Sequence, residues 1–220
     1  MNPPTEGLLL WLRADRGVNE SSGQVAVWED QSGHNLDATQ NVASARPRLA
    51  RTAIGSRPAI VFDGVDDFMH LPQGFADFSR GVSAFATIEL ASSSNCMAVF
   101  ELSNGSEIDD ISFGHFETRL LYEVLDSFVQ GAVIPLSTPQ LVASIHRPST
   151  TVDLRQNGNR TNGSTMNLPA GVTRRQNFVG RSLYSGCAVF DGSIAEILLY
   201  DRAVTNAEVT TIETYMRRTN

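Results

Sequence analysis

Short apolar runs recur along most of the chain, at 8–12, 25–28, 59–62, 68–71, 84–90, 97–102, 111–116, 120–125, 141–146, 152–156, 177–180 and 194–200. Glycine, asparagine, serine and proline separate them, and this rhythm predicts an all-β sandwich or barrel. The sharpest local signal is Val152-Asp153-Leu154-Arg155-Gln156-Asn157-Gly158-Asn159-Arg160. Its Asn-Gly pair supplies the positive φ angles of a tight hairpin. Only the C-terminus reads as helix. Thr205-Asn206-Ala207-Glu208 fits a capping box, and Val209, Ile212 and Met216 fall on one helical face. Trp11 and Trp28 lie inside apolar runs and are expected in the core.

Composition narrows the picture. A chain of 220 residues with 41% apolar content can bury one large core, and with no internal repeat or linker a single domain over residues 1–220 is the simpler reading. The balance is 17 basic against 24 acidic groups, and every basic residue is arginine. The adjacent basic pairs are Arg174-Arg175 and Arg217-Arg218, expected as solvated surface, so no clustered patch exists for nucleic acid. No apolar run is long enough for a membrane span, since residues 7–12 are cut short by Arg13. The same stretch is too short for a signal peptide. Met1 is therefore read as the start of a domain cut from a larger secreted or cell-surface chain. Cys96 and Cys187 each precede an apolar run; buried thiols are expected ahead of a disulfide.

Two groups of motifs resemble a known family. Near the start stand Leu8-Leu9-Leu10-Trp11-Leu12-Arg13-Ala14-Asp15, Val27-Trp28-Glu29-Asp30-Gln31-Ser32-Gly33, and Arg57-Pro58-Ala59-Ile60-Val61-Phe62-Asp63-Gly64-Val65-Asp66-Asp67-Phe68. Near the end stand Phe178-Val179-Gly180-Arg181 and the run from Phe190 to Thr205. Together they resemble a laminin-G-like domain of the concanavalin A-like lectin/glucanase superfamily. The resemblance implies a jelly-roll sandwich of two antiparallel sheets with one short C-terminal helix, the first long strand pairing close to the last. It does not choose a function, because lectins, glycosidases, carbohydrate-binding modules and adhesion domains share that architecture. Many relatives carry an aspartate where this chain has Ala195.

Ser103–Ser112 tests for catalysis. Glu107-Ile108-Asp109 looks like the start of the laminarinase-type pattern Glu-x-Asp-x-Glu, in which alternate strand residues share one cleft. The third carboxylate is missing: Ile111 or Ser112 stands there, and neither protonates a leaving sugar oxygen. Ser103-Asn104-Gly105-Ser106 reads as a turn, so this segment is expected to be an acidic hairpin approach, and no catalytic residue is assigned. His34, His70, His115 and His146 are scattered without zinc spacing, and phosphate loops and nucleophile elbows are absent.

Binding chemistry has more candidates. Asp63, Asp66 and Asp67 crowd around Gly64 and could hold calcium, with Asp30 or Asp191 as further oxygen donors. Sugar stacking calls for exposed aromatic rings beside polar groups, and Phe75, Phe78, Tyr184, His115 and Arg119 are the candidates. The leading expectation is a non-catalytic carbohydrate-recognition or adhesion module, with polysaccharide, glycan or a protein surface as partner and calcium as candidate cofactor. The enzyme alternative is a divergent glycoside hydrolase or lyase using Glu101, Glu117 or Glu123 on the concave sheet. The plainest alternative is a ligand-free spacer.

Overall fold

The computed structural model describes residues 2–93 and 95–218. Strands β1 (Leu8–Arg13), β2 (Val18–Ser21), β3 (Gln24–Trp28), β4 (Ala38–Thr39), β5 (Arg48–Ile54), β6 (Arg57–Asp63), β7 (Met69–Leu71), β8 (Val82–Leu90) and β9 (Cys96–Ser103) make up the first half. The second half holds β10 (Ile111–Phe116), β11 (Arg119–Val124), β12 (Ser127–Val133), β13 (Gln140–His146), β14 (Thr151–Gln156), β15 (Asn159–Thr165), β16 (Gln176–Val179) and β17 (Asp191–Tyr200), closed by helix α1 (Asn206–Arg218). The chain is all-β with one short C-terminal helix, as the apolar rhythm predicts.

Antiparallel pairing runs from β12 through β11, β10, β9, β16, β7, β4 and β3 to β5, then through β6, β17, β8, β13 and β14 to β15. The two ends of this path meet. Asn162 Nδ2 donates to the Gln130 carbonyl at 2.7 Å, and Gln156 Nε2 donates to the Val133 carbonyl at 3.0 Å. The result is a nearly closed, barrel-like network. Hydrogen bonds do not divide it into the two separate sheets that the family resemblance implies, because Gln24↔Arg48 and Thr39↔His70 bridge the halves.

Strand β1 lies on β17 with Trp11 opposite Leu198 and Leu12 opposite Ile197, so the first long strand pairs with the last. The main core fills the interior with Trp28, Phe62, Phe100, Phe113, Tyr122 and Phe190 among its largest members. A second cluster lies under α1, where Val209, Ile212, Tyr215 and Met216 pack on Trp11, Phe85, Leu141 and Leu198. The capping box forms: the Glu208 N–H donates to Thr205 Oγ1 at 3.3 Å, and the Thr205 N–H donates back to Glu208 Oε2 at 2.8 Å. Asn157 and Gly158 turn the β14–β15 hairpin at φ 51° and 89°.

Beside Ala195, Glu196 is buried and bound on several sides. Trp11 Nε1 and the Tyr215 hydroxyl donate to its Oε1, each at 2.7 Å, and Arg57 Nη2 donates to Oε2 at 3.3 Å. This carboxylate ties β1, β6, β17 and α1 together. Such a buried, satisfied charge is structural, and removing one partner is expensive because the others are left uncompensated.

The cysteines correct a sequence expectation. Cys96 and Cys187 form a disulfide across 91 residues of sequence. Their apolar neighbours suggested buried thiols, but β9 and the segment after β16 are brought together by the pairing of β16 with β9. Arg174 is a second correction. It is fully buried, not solvated: Nε donates to the Asp109 carbonyl at 2.6 Å and Nη1 to the Phe75 carbonyl at 2.8 Å.

Candidate binding groove

Strand register builds the site. Reading across neighbouring strands, His70 lies opposite Phe178, Phe178 opposite Glu101, Glu101 opposite Ser112, Ser112 opposite Glu123, and Glu123 opposite Phe128. Directly paired residues share a face, so these six side chains form one row across β7, β16, β9, β10, β11 and β12. The next row toward the other end of the strands is Ala98, Gly114, Leu121 and Gln130. Its first two members are small, and the surface sinks there.

Gly114 is required by that depression. The register slips by one residue between β9 and β10 at Phe113/Gly114, bringing the two backbones close. A Cβ at Gly114 would lie 2.1 Å from the Met97 carbonyl oxygen and 2.8 Å from Ala98 Cα. The depression is a groove of about 300 Å³.

The groove has two chemically different ends. Cys96, Met97, Ala98, Phe116 and Leu121 line one end; Glu101, Glu107, Asp110, Glu123 and Asp126 line the other. Tyr184 and Phe128 also line it and remain 49% and 59% exposed. Tyr184 sits on a loop that is held firmly. The disulfide fixes Cys187 to β9, the Leu183 N–H donates to Glu101 Oε1 at 3.0 Å, and Asn95 Nδ2 donates to the Gly186 carbonyl at 2.5 Å.

The acidic end sets its own proton affinities. Burial pushes the Glu123 carboxyl up to about 7, and the charges of Asp110, Glu101, Asp126 and Glu107 add to the effect. Burial also raises Glu101 and Asp110 above the ordinary carboxylate range, with Asp110 contributing to the first and Asp126 and Glu107 to the second. Asp110 Oδ1 is buried without a hydrogen-bond partner. His115 Nδ1 lies 2.5 Å from the Glu117 carbonyl oxygen, so Nδ1 carries the proton and Nε2 is an acceptor. That Nε2 is likewise buried and unpartnered, and burial lowers the pKa of the ring.

The sequence candidates separate clearly. Tyr184 lines the groove with its ring half-exposed, whereas His115 borders it only from within: it alternates with Gly114 on β10, and its fully buried ring turns to the core face against Phe190. Phe75 and Phe78 are corrected: both are buried in the core, with Arg174 over the Phe78 ring at 5.6 Å, because the apolar interior claims loop aromatics too. Arg119 is exposed and lies directly opposite Phe116, on the groove's face of the sheet. Its Nη1 donates to the Gly131 carbonyl at 3.0 Å, beside the groove's apolar end. Of the enzyme alternative's glutamates, Glu101 and Glu123 meet in the groove, whereas Glu117 lies in the β10–β11 turn at φ 52°. Glu107 and Asp109 sit in a turn with φ of 59° and 55°, where the Asn104 N–H donates to the Ile108 carbonyl at 2.8 Å. Phe116, Phe128 and Gln130 were not singled out in the sequence. The signal was present as glutamate, serine and glutamine interrupting apolar strands, but only register places them together.

Asp63, Asp66 and Asp67 do converge, each offering an oxygen within 4.8 Å of the others. The Val65 and Asp66 N–H groups donate to Asp63 Oδ1 at 2.9 and 3.3 Å, and the Asp63 N–H donates to Asp67 Oδ2 at 3.2 Å. Burial, then the charge on Asp63, pushes the Asp67 carboxyl up to about 6. An all-oxygen set of this kind could hold a metal ion. It supplies three of the roughly six to eight ligands calcium takes, leaving the rest to carbonyls and water.

No protein-family model matches the chain, and no curated protein sequence matches it. Its fold is nonetheless shared with solved structures. Domain 4 of AbnA, a GH43 extracellular arabinanase from Geobacillus stearothermophilus, solved with arabinotriose, has a TM-score of 0.68 at 17% identity, over 94% of this chain and 98% of that one. The binding domain of Paraclostridial Mosquitocidal Protein 1 has a TM-score of 0.68 at 10% identity, over 96% of this chain and 53% of that one. Trypanosoma rangeli sialidase in complex with sialic acid has a TM-score of 0.66 at 15% identity. The chain aligns over its full length with 35% of that sialidase. At these identities the likeness is one of fold.

Proposed function

We propose that this chain is a non-catalytic carbohydrate-recognition module that binds a glycan in the groove on β9–β12. The observation that carries the reading is the pairing of two exposed rings, Tyr184 and Phe128, with a row of hydrogen-bonding side chains on rigid strands. Pyranose faces are apolar and stack on aromatic rings, while their hydroxyls need acceptors and donors such as Glu101, Ser112, Glu123 and Gln130. The fold shared with an arabinanase domain solved with arabinotriose adds support by analogy. The sequence motifs favour the laminin-G-like branch of the concanavalin A-like superfamily, with jelly-roll topology. A disulfide persists in oxidising surroundings, which supports a secreted or surface protein. In this reading, calcium at Asp63, Asp66 and Asp67 steadies the β6–β7 turn. The test is a glycan array run in calcium and again with chelator. Specific signal supports the reading, and loss on chelation assigns the metal a role in it. An array silent in both conditions overturns sugar recognition for the glycans sampled and favours a protein ligand.

One observation favours an enzymatic second reading. Glu101 and Glu123 flank Ser112 on one face, and Glu123 is pushed up to about 7, the state of a general acid. Glycoside hydrolysis uses two such carboxylates on opposite sides of the scissile bond. New reducing ends released from a bound polysaccharide, and lost in Glu123→Gln, would establish it. A bound glycan recovered intact after prolonged incubation would exclude it for that glycan.

A further inference from the structure

The charge of the groove is one-sided. Its lining includes Glu101, Glu107, Asp110, Glu123 and Asp126 but no arginine, although the chain has 17 basic residues, all arginine. The Arg174 guanidinium, whose charge reaches Asp110, is turned beneath the Asp109 turn and bonded to backbone carbonyls, and that of Arg181 is taken up over the Phe68 and Phe178 rings. His115 supplies no positive charge, since its Nε2 is a bare acceptor. One buried wall group, Asp110 Oδ1, therefore waits for a donor and has none; His115, next to Gly114 on β10, turns its ring to the core face against Phe190. A neutral sugar offers hydroxyl donors, but it leaves the mutual repulsion of the carboxylates in place. A small cation does not fit either: among the described residues, the triad with ligand atoms within 4.8 Å of one another is Asp63, Asp66 and Asp67, in a different loop. The groove acids are spread over a ligand-sized span. At the opposite end, the disulfide, Met97, Ala98 and Leu121 offer an apolar wall for a ring.

Resting on the glycan reading above, we propose that the groove selects amino-sugar units carrying a protonated amine, and discriminates against uronic and sialic acids. An ammonium presents three donors and a positive charge, which meets the unpartnered Asp110 oxygen and relieves the carboxylate repulsion at once. An anionic sugar meets the same carboxylates as repulsion. The ring stacks on Tyr184 or Phe128 with the amine directed to Asp110 and Glu123. This sets the chain apart in ligand class from the sialidase whose fold it shares.

The test is calorimetric titration of the whole chain, near neutral pH and at low and high salt, with three oligomers of equal length. These are a glucosamine oligomer, its fully N-acetylated counterpart and a uronic-acid oligomer. The amine form is expected to bind at least tenfold tighter than the acetylated form, the effect of one charge-assisted hydrogen bond, with the advantage shrinking in salt. The uronate is expected not to bind. Glu123→Gln and Asp110→Asn should each bring the ratio of amine to acetamide affinity toward one, and retention of the full ratio in both would overturn the proposal. Equal binding of the amine and acetylated forms, lost in Tyr184→Ala, would overturn the charge selectivity while upholding the glycan site. Uronate binding tighter than either would also overturn it. Binding of none of the three would overturn the selectivity together with the glucosamine-type ligand it names, whereas the array decides the broader reading.

Discussion

Below about pH 7, Glu123 holds a proton that an ordinary glutamate has lost. Its pKa rises from 4.5 to about 7, so between those values the folded state binds a proton that the unfolded chain releases. Stability therefore falls as pH rises through this window. Asp67 acts in the same direction between 3.8 and about 6. Glu208 has the opposite sign: Arg202 holds it down to about 2, so its contribution is complete above 4.5 and is lost as pH falls toward 2. Glu123→Gln is expected to raise the melting temperature at neutral pH and to flatten its fall between about 4.5 and 7. Calorimetric melts across that range check this; a lower melting temperature for the variant at neutral pH contradicts it. The aromatic pair makes a different prediction. Tyr184 and Phe128 are half-exposed, so their alanine variants should keep the wild-type melting temperature. Each should weaken glycan affinity by about 1 kcal/mol, roughly fivefold, in a binding titration.

At the scale of elements, the disulfide does two jobs. It closes a 91-residue separation and holds the Tyr184 loop against β9. Reduction, or a Cys96→Ser/Cys187→Ser double variant, is expected to cost about 2–4 kcal/mol in denaturant unfolding and to weaken binding beyond the Tyr184→Ala effect. Unchanged affinity after reduction would show that the loop is ordered without it. Legibility differed by element. The β14–β15 hairpin, α1 with its cap and the β1–β17 edge were readable because local chemistry or an apolar run marks each. Strands β2, β4, β5 and β12 were not marked. Val18–Ser21 is polar, Ala38–Thr39 is two residues long, and Arg48–Ile54 carries two arginines and is largely solvent-facing. Phe128 went unnoticed with its strand. Glu101 and Glu123 were visible as glutamates within apolar strands, but their meeting depends on β9, β10 and β11 pairing in one register, which no local pattern encodes. Phe75 and Phe78 failed for the converse reason: an exposed-looking loop sequence folds inward around the buried Arg174.

At the scale of the whole molecule, a nearly closed β scaffold carries the polarised groove. A cation at Asp63, Asp66 and Asp67 would relieve the crowding that pushes Asp67 up, so millimolar calcium is expected to raise the melting temperature, and Asp66→Asn/Asp67→Asn to abolish the rise. A melting temperature indifferent to calcium would remove the metal from the account while leaving the groove in place. The central claim is that the β9–β12 groove recognises sugar. Its most direct test compares the wild-type chain with a Phe128→Ala/Tyr184→Ala variant on one glycan array, with matched melting temperatures as the control for folding. The account predicts specific wild-type signal that the double variant loses. Signal that persists undiminished in the folded variant would place recognition elsewhere on the molecule and contradict it.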